Sequence, residues 1–222
     1  MEDSPLLYLF NLSYENERLP VLWKAAVIVS ASKGGNDFRP ISLTSCLCKM
    51  MERIILNRMI YKISDLLSDN LYGFMKDKCT TDCVLKALCK GEVMCRTFVD
   101  LKGAFDKANK DIILEELVKK GVAGKLLKWI EDYLSNRKAK VWYQGQESEE
   151  REFELGTPQG GILSPMLFNV LMDRITRHEF ATGTQIIIYA DDISIQCKSE
   201  FLMKEALAEL QNSMLIYGIS HK

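Results

Sequence analysis

Gln185-Ile186-Ile187-Ile188-Tyr189-Ala190-Asp191-Asp192-Ile193-Ser194-Ile195-Gln196-Cys197 sets two adjacent carboxylates between two short β-branched runs. Such runs around a short polar step read as a hairpin, with Asp191 and Asp192 at its tip. Neighbouring ionised aspartates repel and cannot stabilise a fold by themselves, so a chain that exposes them between strands has a use for a cation. Hard carboxylate oxygens suit Mg²⁺ or Mn²⁺. A solvated Asp-rich turn is the plain alternative, and the hairpin alone does not separate the two.

Thr97-Phe98-Val99-Asp100-Leu101 reads as a short strand that supplies a third carboxylate from a separate element. Two-metal phosphoryl transfer needs such an arrangement, because its ions lie ~3.5–4 Å apart and their ligands must be held on rigid strands. Nucleotidyl transfer is the chemistry that fits.

The rest of the chain frames this centre. Leu19 to Ser30 reads as extended and Lys33 to Pro40, with two glycines and a proline, as a turn or loop. Helical spacing runs from Thr44 to Leu67, with Thr44 or Ser45 as cap, and from Asp82 to Lys90, with Thr81 as cap. Further helices are expected over Asp111 to Lys120, ended by Gly121, and over Lys125 to Leu134. Lys140 to Tyr143 and Arg151 to Leu155 read as strands joined by an acidic loop. Ser164-Pro165 matches a cap and first helical position for Met166 to Arg177, and Phe201 to Tyr217 is helical with Gly218 closing it. Helices mix with short strands without a regular βαβ repeat, which makes the fold class α+β.

Composition narrows the function classes. The 222 residues, 47% hydrophobic and 27% charged, suit one large globular domain. No apolar stretch approaches the ~20 residues that span a bilayer, and the N-terminal segment lacks a basic start before an apolar core. No membrane partner is expected, and an intracellular location, nucleus or cytoplasm, follows. The 7 cysteines form no CxxC pair and only 2 histidines are present, which argues for reduced thiols and against zinc. A net charge of -1 weighs against a strongly basic nucleic-acid binder. Charge is uneven, however: Lys24, Lys33, Arg39, Lys49, Arg53, Arg58 and Lys62 form a basic stretch, and Glu147, Glu149, Glu150, Glu152 and Glu154 an acidic one. Trp23, Trp129 and Trp142 lack basic interleaving and read as core.

Four ordered segments carry a resemblance: Phe38-Arg39-Pro40-Ile41-Ser42-Leu43-Thr44-Ser45; Phe98 through Asp106, read FVDLKGAFD; Gly156 through Pro165, read GTPQGGILSP; and Tyr189-Ala190-Asp191-Asp192. In this order they resemble reverse transcriptases, closest to the non-LTR (LINE-type) retrotransposon branch, over about Pro20 to Lys222. The resemblance implies a right-hand polymerase fold over 1–222, with fingers mainly 1–90 and 124–160, palm mainly 91–123 and 161–222, and the thumb absent after Lys222. It implies an RNA-directed DNA polymerase core that adds dNTPs to a DNA primer on an RNA template with two Mg²⁺ ions, Mn²⁺ as substitute.

By matching positions, Asp100, Asp191, Asp192 and the backbone carbonyl of Leu101 hold the metals. Asp192 ranks as the weaker ligand, because successive strand side chains face opposite ways unless a tight turn intervenes. Phe105 matches the residue that closes beneath the sugar and collides with a ribose 2′-OH; an ordinary core Phe is its alternative. Asp106 reads as a cap or dipole partner. Gly103 and Ala104 admit backbone N–H groups to the triphosphate. Arg39 and Lys33 match triphosphate-binding positions, Lys33 with a solvated loop lysine as alternative. Gln159 and Gly160 match the turn beneath the nascent base pair, and Lys222 is a candidate general acid. The resemblance leaves two competitors: a catalytically silent nucleic-acid-binding or interaction remnant, and RNA-directed RNA synthesis, against which Phe105 argues.

Overall fold

The structure, a computed structural model, describes residues 4–34, 37–88, 95–101, 103–153 and 155–216. Two sheets organise it. The smaller holds β3 (Cys95–Asp100), β8 (Asp192–Cys197) and β7 (Gln185–Tyr189) in the order β3-β8-β7, antiparallel throughout. Alternation gives it two faces. Val99, Ile193 and Ile188 lie in register on one face, as do Thr97, Ile195 and Ile186. Ile193, Ile195 and Cys197 are fully buried there. The helices α7 (Ser164–Thr176) and α8 (Glu200–Ile216) pack on this sheet, and α5 (Lys110–Lys119) packs on α7. Asp100, Phe98 and Asp192 stand on the opposite face.

The larger sheet has five strands: β1 (Ala25–Gly34), β2 (Asp37–Leu43), β4 (Arg137–Tyr143), β5 (Gln146–Glu147) and β6 (Arg151–Phe153). β1 sits between antiparallel β2 and parallel β4, and β5 and β6 both pair with β4. Parallel pairing requires a long crossover, here everything from residue 44 to residue 136.

A helical core joins the sheets. α2 (Cys46–Ile63) buries Cys48, Met51, Ile55, Met59 and Ile63, and α6 (Gly124–Leu134) buries Trp129, Ile130 and Tyr133. Burial of each large side chain contributes on the order of 1.5–3 kcal/mol. Glu52, fully buried on α2, accepts from Tyr133 Oη at 3.1 Å and from the Leu163 N–H at 3.0 Å, so one carboxylate ties α2, α6 and the start of α7. Asp173, equally buried, accepts from the Ser68 N–H at 2.7 Å, from Arg177 Nε at 2.7 Å and from Lys120. Asp173 is paired with two cations, and Glu52 is satisfied by neutral hydrogen-bond donors, as burial of a carboxyl requires.

Several elements differ from the sequence reading. Lys33 and Gly34 end β1 and Asp37 to Pro40 begin β2, so those residues are strand rather than loop, with 35–36 outside the described residues; Pro40 fits because β2 is an edge strand, where a missing N–H is tolerated. A helix α1 (Pro5–Glu15) precedes the expected elements, with Pro5 in its first turn and Phe10 in the core. Ser45 is the N-cap of α2 by position but makes no side-chain cap bond. α3 (Thr80–Leu88) already includes Thr81, and Asp82 instead accepts the Cys79 N–H at 2.9 Å. Ser164 lies inside α7 and donates its hydroxyl to the Pro158 carbonyl at 2.8 Å, leaving Leu163 as the cap. Trp23 and Trp129 are core residues, whereas Trp142 is 44% exposed. The helix over 111–120 is borne out as α5, with Asn109 as its cap and Gly121 at φ +79° behind it. Lys90, Tyr217 and Gly218 lie outside the described residues.

Candidate active site

The hairpin tip is a tight turn. Tyr189 pairs with Asp192, leaving Ala190 and Asp191 as the loop, and Ala190 takes φ +55°, unusual for a residue with a Cβ. Backbone clamps hold it from both sides. On one side the Leu101 N–H donates to the Asp191 carbonyl at 3.2 Å. On the other, the Tyr72 N–H donates to the Ile188 carbonyl and the Ile188 N–H to the Asn70 carbonyl, both at 2.9 Å. Gly73 lies so close that a Cβ there would stand 2.3 Å from the Ala190 nitrogen, and Asn169 Nδ2 holds the Gly73 carbonyl at 2.7 Å.

This geometry brings the acidic residues together. Asp100 and Asp192 are direct cross-strand partners on the exposed face, so β3 and β8 put two carboxylates side by side. Asp191 follows in the turn. Burial raises the Asp192 pKa above the ordinary carboxylate range, and the negative charges of Asp191 and Asp100 raise it further. Like charges gathered this way favour a proton or a cation between them. Among the described residues no group of three or more His, Cys, Asp and Glu side chains is gathered closely enough to form a metal cage by itself.

Beside the carboxylates opens a cavity of about 380 Å³, lined by Arg39, Gly103, Phe105, Asp106, Gln159 and Asp191 among others. Each comes from a different constraint. Arg39 is exposed on edge strand β2, paired with Ala31. Gly103 takes φ +64° and caps the short helix α4 (Ala104–Lys107), whose Ala104 is buried. Phe105 stacks on Phe168 at 4.4 Å between ring centroids and meets Phe74 edge-on at 6.1 Å, so it is both packed in the core and open to the cavity. The 155–163 segment threads between the sheets: the Thr157 N–H donates to the Phe105 carbonyl at 2.8 Å, and the Ser42 N–H to the Gln159 carbonyl at 2.7 Å. Gly160, at φ +112°, passes so near β2 that a Cβ would lie 2.8 Å from the Ser42 oxygen.

Asp106 is not the cap of α4, which is Gly103, but stands in its first turn, where a dipole partner is expected, and its Oδ1 accepts from Gln159 Nε2 at 2.9 Å. Its pKa is raised by burial, with the Gln159 hydrogen bond pulling the other way. This pairing and the Gly73–Ala190 approach join residues far apart in sequence, and neither left a local signal. Lys33 belongs to β1, but its side chain lies outside what the structure describes, and Lys222 lies outside the described residues. Leu101 is buried immediately beside Asp100. No helix among the described residues is long and apolar enough to cross a membrane.

Comparison with known proteins gives the family and the fold. The family described as "Reverse transcriptase (RNA-dependent DNA polymerase)" matches residues 31–222. The chain is 29% identical over 210 residues to the probable RNA-directed DNA polymerase from transposon BS of Drosophila melanogaster, covering 86% of this chain and 23% of that protein. It is 30% identical over 234 residues to the RNA-directed DNA polymerase from mobile element jockey of Drosophila funebris, covering 95% of this chain and 25% of that protein. The chain thus spans about a quarter of the length of these relatives. The structure of telomerase from Candida tropicalis with a fragment of telomeric RNA superposes with a TM-score of 0.68 at 14% identity, over 96% of this chain and 42% of that one. At that identity the likeness establishes the fold, the right-hand polymerase fold.

Proposed function

This chain belongs to the reverse transcriptase family, and we propose that it is the fingers and palm of an RNA-directed DNA polymerase, transferring dNTPs to a DNA primer on an RNA template. The observation that carries the reading is the register of Asp100 opposite Asp192, with Asp191 on the wall of the cavity that also presents Arg39, Phe105 and Gln159. The five-stranded sheet, from 25–43 and 137–153, acts as the fingers. The three-stranded sheet with α5, α7 and α8 acts as the palm. A silent binding remnant is not favoured, since it has no use for three carboxylates held together at a cost in repulsion.

The donor set fits divalent ions. Asp100, Asp191 and Asp192, with the Leu101 carbonyl, would hold two Mg²⁺, or Mn²⁺ in their place. Mg²⁺ keeps several waters and takes only one or two carboxylates from the protein, so facing aspartates suffice without a closed cage. When bound, such ions supply charge neutralisation and an acidified primer hydroxyl.

The chain's own residues then orient the nucleotide. Arg39 clamps phosphate oxygens in two places, and Lys33 is assigned a point charge toward the same phosphates by its matching position alone. Backbone N–H groups at Gly103 and Ala104 approach the same phosphates. Phe105, held by Phe168 and Phe74, sits beneath the sugar and excludes a 2′-OH. Gln159, fixed by Asp106 and by its own carbonyl on Ser42, supports the nascent pair, with Gly160 allowing the close approach. Lys222 is the proposed proton donor to pyrophosphate.

Primer extension on poly(rA)/oligo(dT) with purified protein tests the reading. Incorporation with Mg²⁺ or Mn²⁺ that Asp191→Asn abolishes is the expected result. No incorporation with Mn²⁺ at high enzyme concentration rejects autonomous activity, and Phe105→Ala should admit rNTPs more readily.

A further inference from the structure

The basic stretch of the sequence is only partly used at the nucleotide cavity. Lys24 is paired with Asp132 at 2.7 Å, and Lys49, Arg53, Arg58 and Lys62 are all carried by α2. Glu52, the one acid of that helix, is buried on its inner side. By helical periodicity Met50, Ile54, Asn57 and Tyr61 form one stripe along the solvent side, with Arg53 on one flank and Arg58 and Lys62 on the other. All of them are exposed, Tyr61 by 91%. A merely solvated helix face needs neither a bare tyrosine ring nor a single sign of charge.

At the C-terminal half of the stripe a groove of about 480 Å³ opens between α1, α2 and the start of α6. Tyr14 of α1 lines it together with Asn57, Arg58, Tyr61 and Lys62. The Arg58 guanidinium carbon lies 4.4 Å from the centroid of the Tyr14 ring, a cation–π contact that keeps the charge at the groove. The acids nearby on α1 and just after it are already paired, Glu15 with Lys125 and Glu17 with Lys128. Asp65, past the end of α2, is bonded to Ser64. The groove therefore presents two phenol rings, an amide and net positive charge.

We propose that this face of α2 is a second nucleic-acid surface, apart from the nucleotide cavity, that takes unpaired RNA. A base stacks on Tyr61 in the groove, the adjoining phosphates lie on Arg58 and Lys62, and the strand runs on along Ile54 and Met50 toward Arg53. Stacking on an aromatic ring beside cations holds a single strand whatever its sequence. A duplex, its bases already stacked, has no use for the bare ring. The choice of RNA over DNA rests on the polymerase reading, which gives this chain an RNA template; the use of a single strand rests on the groove itself.

Fluorescence anisotropy of a labelled oligo(U) RNA on the full chain, without divalent ions, tests the surface. Tyr61→Ala should weaken binding by roughly 5-fold or more, the effect of losing one stacked base. Arg58→Met combined with Lys62→Gln should lower the slope of log affinity against log salt by about 1.4, as expected for two phosphates of a single strand. Tyr61→Ala, at an exposed position, is the arm that stands if Arg58→Met disturbs α1. Since the nucleotide cavity can hold the same strand, 4-thiouridine in the RNA locates it: ultraviolet cross-links should reach peptides holding Tyr14 or Tyr61. Cross-links confined to peptides around the nucleotide cavity, or wild-type affinity in Tyr61→Ala, overturn the proposal. Oligo(dT) held more tightly than oligo(U), or oligoglutamate that binds as tightly as the RNA, overturns it as well. Primer extension run in parallel separates the two readings: cross-links at Tyr61 without extension keep the surface and reject the polymerase, and extension without those cross-links does the reverse.

Discussion

The two sheets of this molecule solve opposite problems. The three-stranded sheet is backed by α7 and α8, its tip is clamped by backbone bonds on both sides, and its carboxylates stand at one end of a packed layer. The five-stranded sheet is half solvated, with Phe38, Leu43, Val141 and Trp142 exposed, and it is joined to the rest through the 155–163 segment. Groups that must be held against their own repulsion sit where the scaffold is stiff. Arg39, the proposed phosphate contact, sits instead on the exposed edge strand of the other sheet.

Exchanging the character of the two regions tests that contrast. The largest effect is expected from Asp191→Asn or Asp100→Asn, which should lower primer extension by about 10³-fold while Tm holds or rises by about 2 °C as repulsion is relieved. A loss of fold in either variant would show that the carboxylates are structural. Next is Gly73→Ala, whose Cβ has no room beside Ala190. Overpacking of about 1–3 kcal/mol should lower Tm by roughly 2–12 °C, read by calorimetry, and activity should fall with it. An unaltered Tm would mean that the hairpin is not clamped.

On the other sheet, Arg39→Lys should raise the dNTP KM by about tenfold with little change in kcat, because a point charge replaces a two-point clamp. A kcat loss with unaltered KM would move Arg39 from gripping to chemistry. A smaller effect runs in the opposite direction. Asp192→Asn removes one of the repelling charges, so in divalent-free buffer near neutral pH its Tm should rise by about 2 °C even as activity is lost.

Smallest is a pH effect at Asp106. Its folded-state pKa is raised by burial, so the stabilisation it gives when protonated is present below the ordinary carboxylate range and lost as pH rises through the raised value. Asp106→Asn keeps an acceptor for Gln159 and should flatten the Tm profile just above that range. An unchanged profile would show that the carboxyl is effectively solvated.

How far the sequence reveals this arrangement follows from how local each signal is. Asp191, Asp192, Asp100 and Arg39 stand out because their chemistry is written into short runs of neighbours. Lys33 to Pro40 misleads because Gly34 and Pro40 are turn residues by composition, and Pro40 is compatible with strand through the edge position of β2. Glu52 on Tyr133, Gly73 against Ala190, and Asp106 on Gln159 are unreadable for a different reason. Each joins elements that meet only in the tertiary structure, and a lone Glu in a helix or Gly in a loop carries no mark of what it will touch.

The parallel pairing of β1 with β4 also sets a clock. Val27 must find Lys140, and at roughly 5–20 residues per second a ribosome takes about 5–20 s to make the chain between them. During that wait the edge of β1 that β4 will cover, with Val27, Ile28 and Val29 in it, stays open in addition to the outer edge of β2. Such an edge is a template for other chains. Nascent chains of this protein are therefore most exposed to chaperones, and to one another, before β4 emerges.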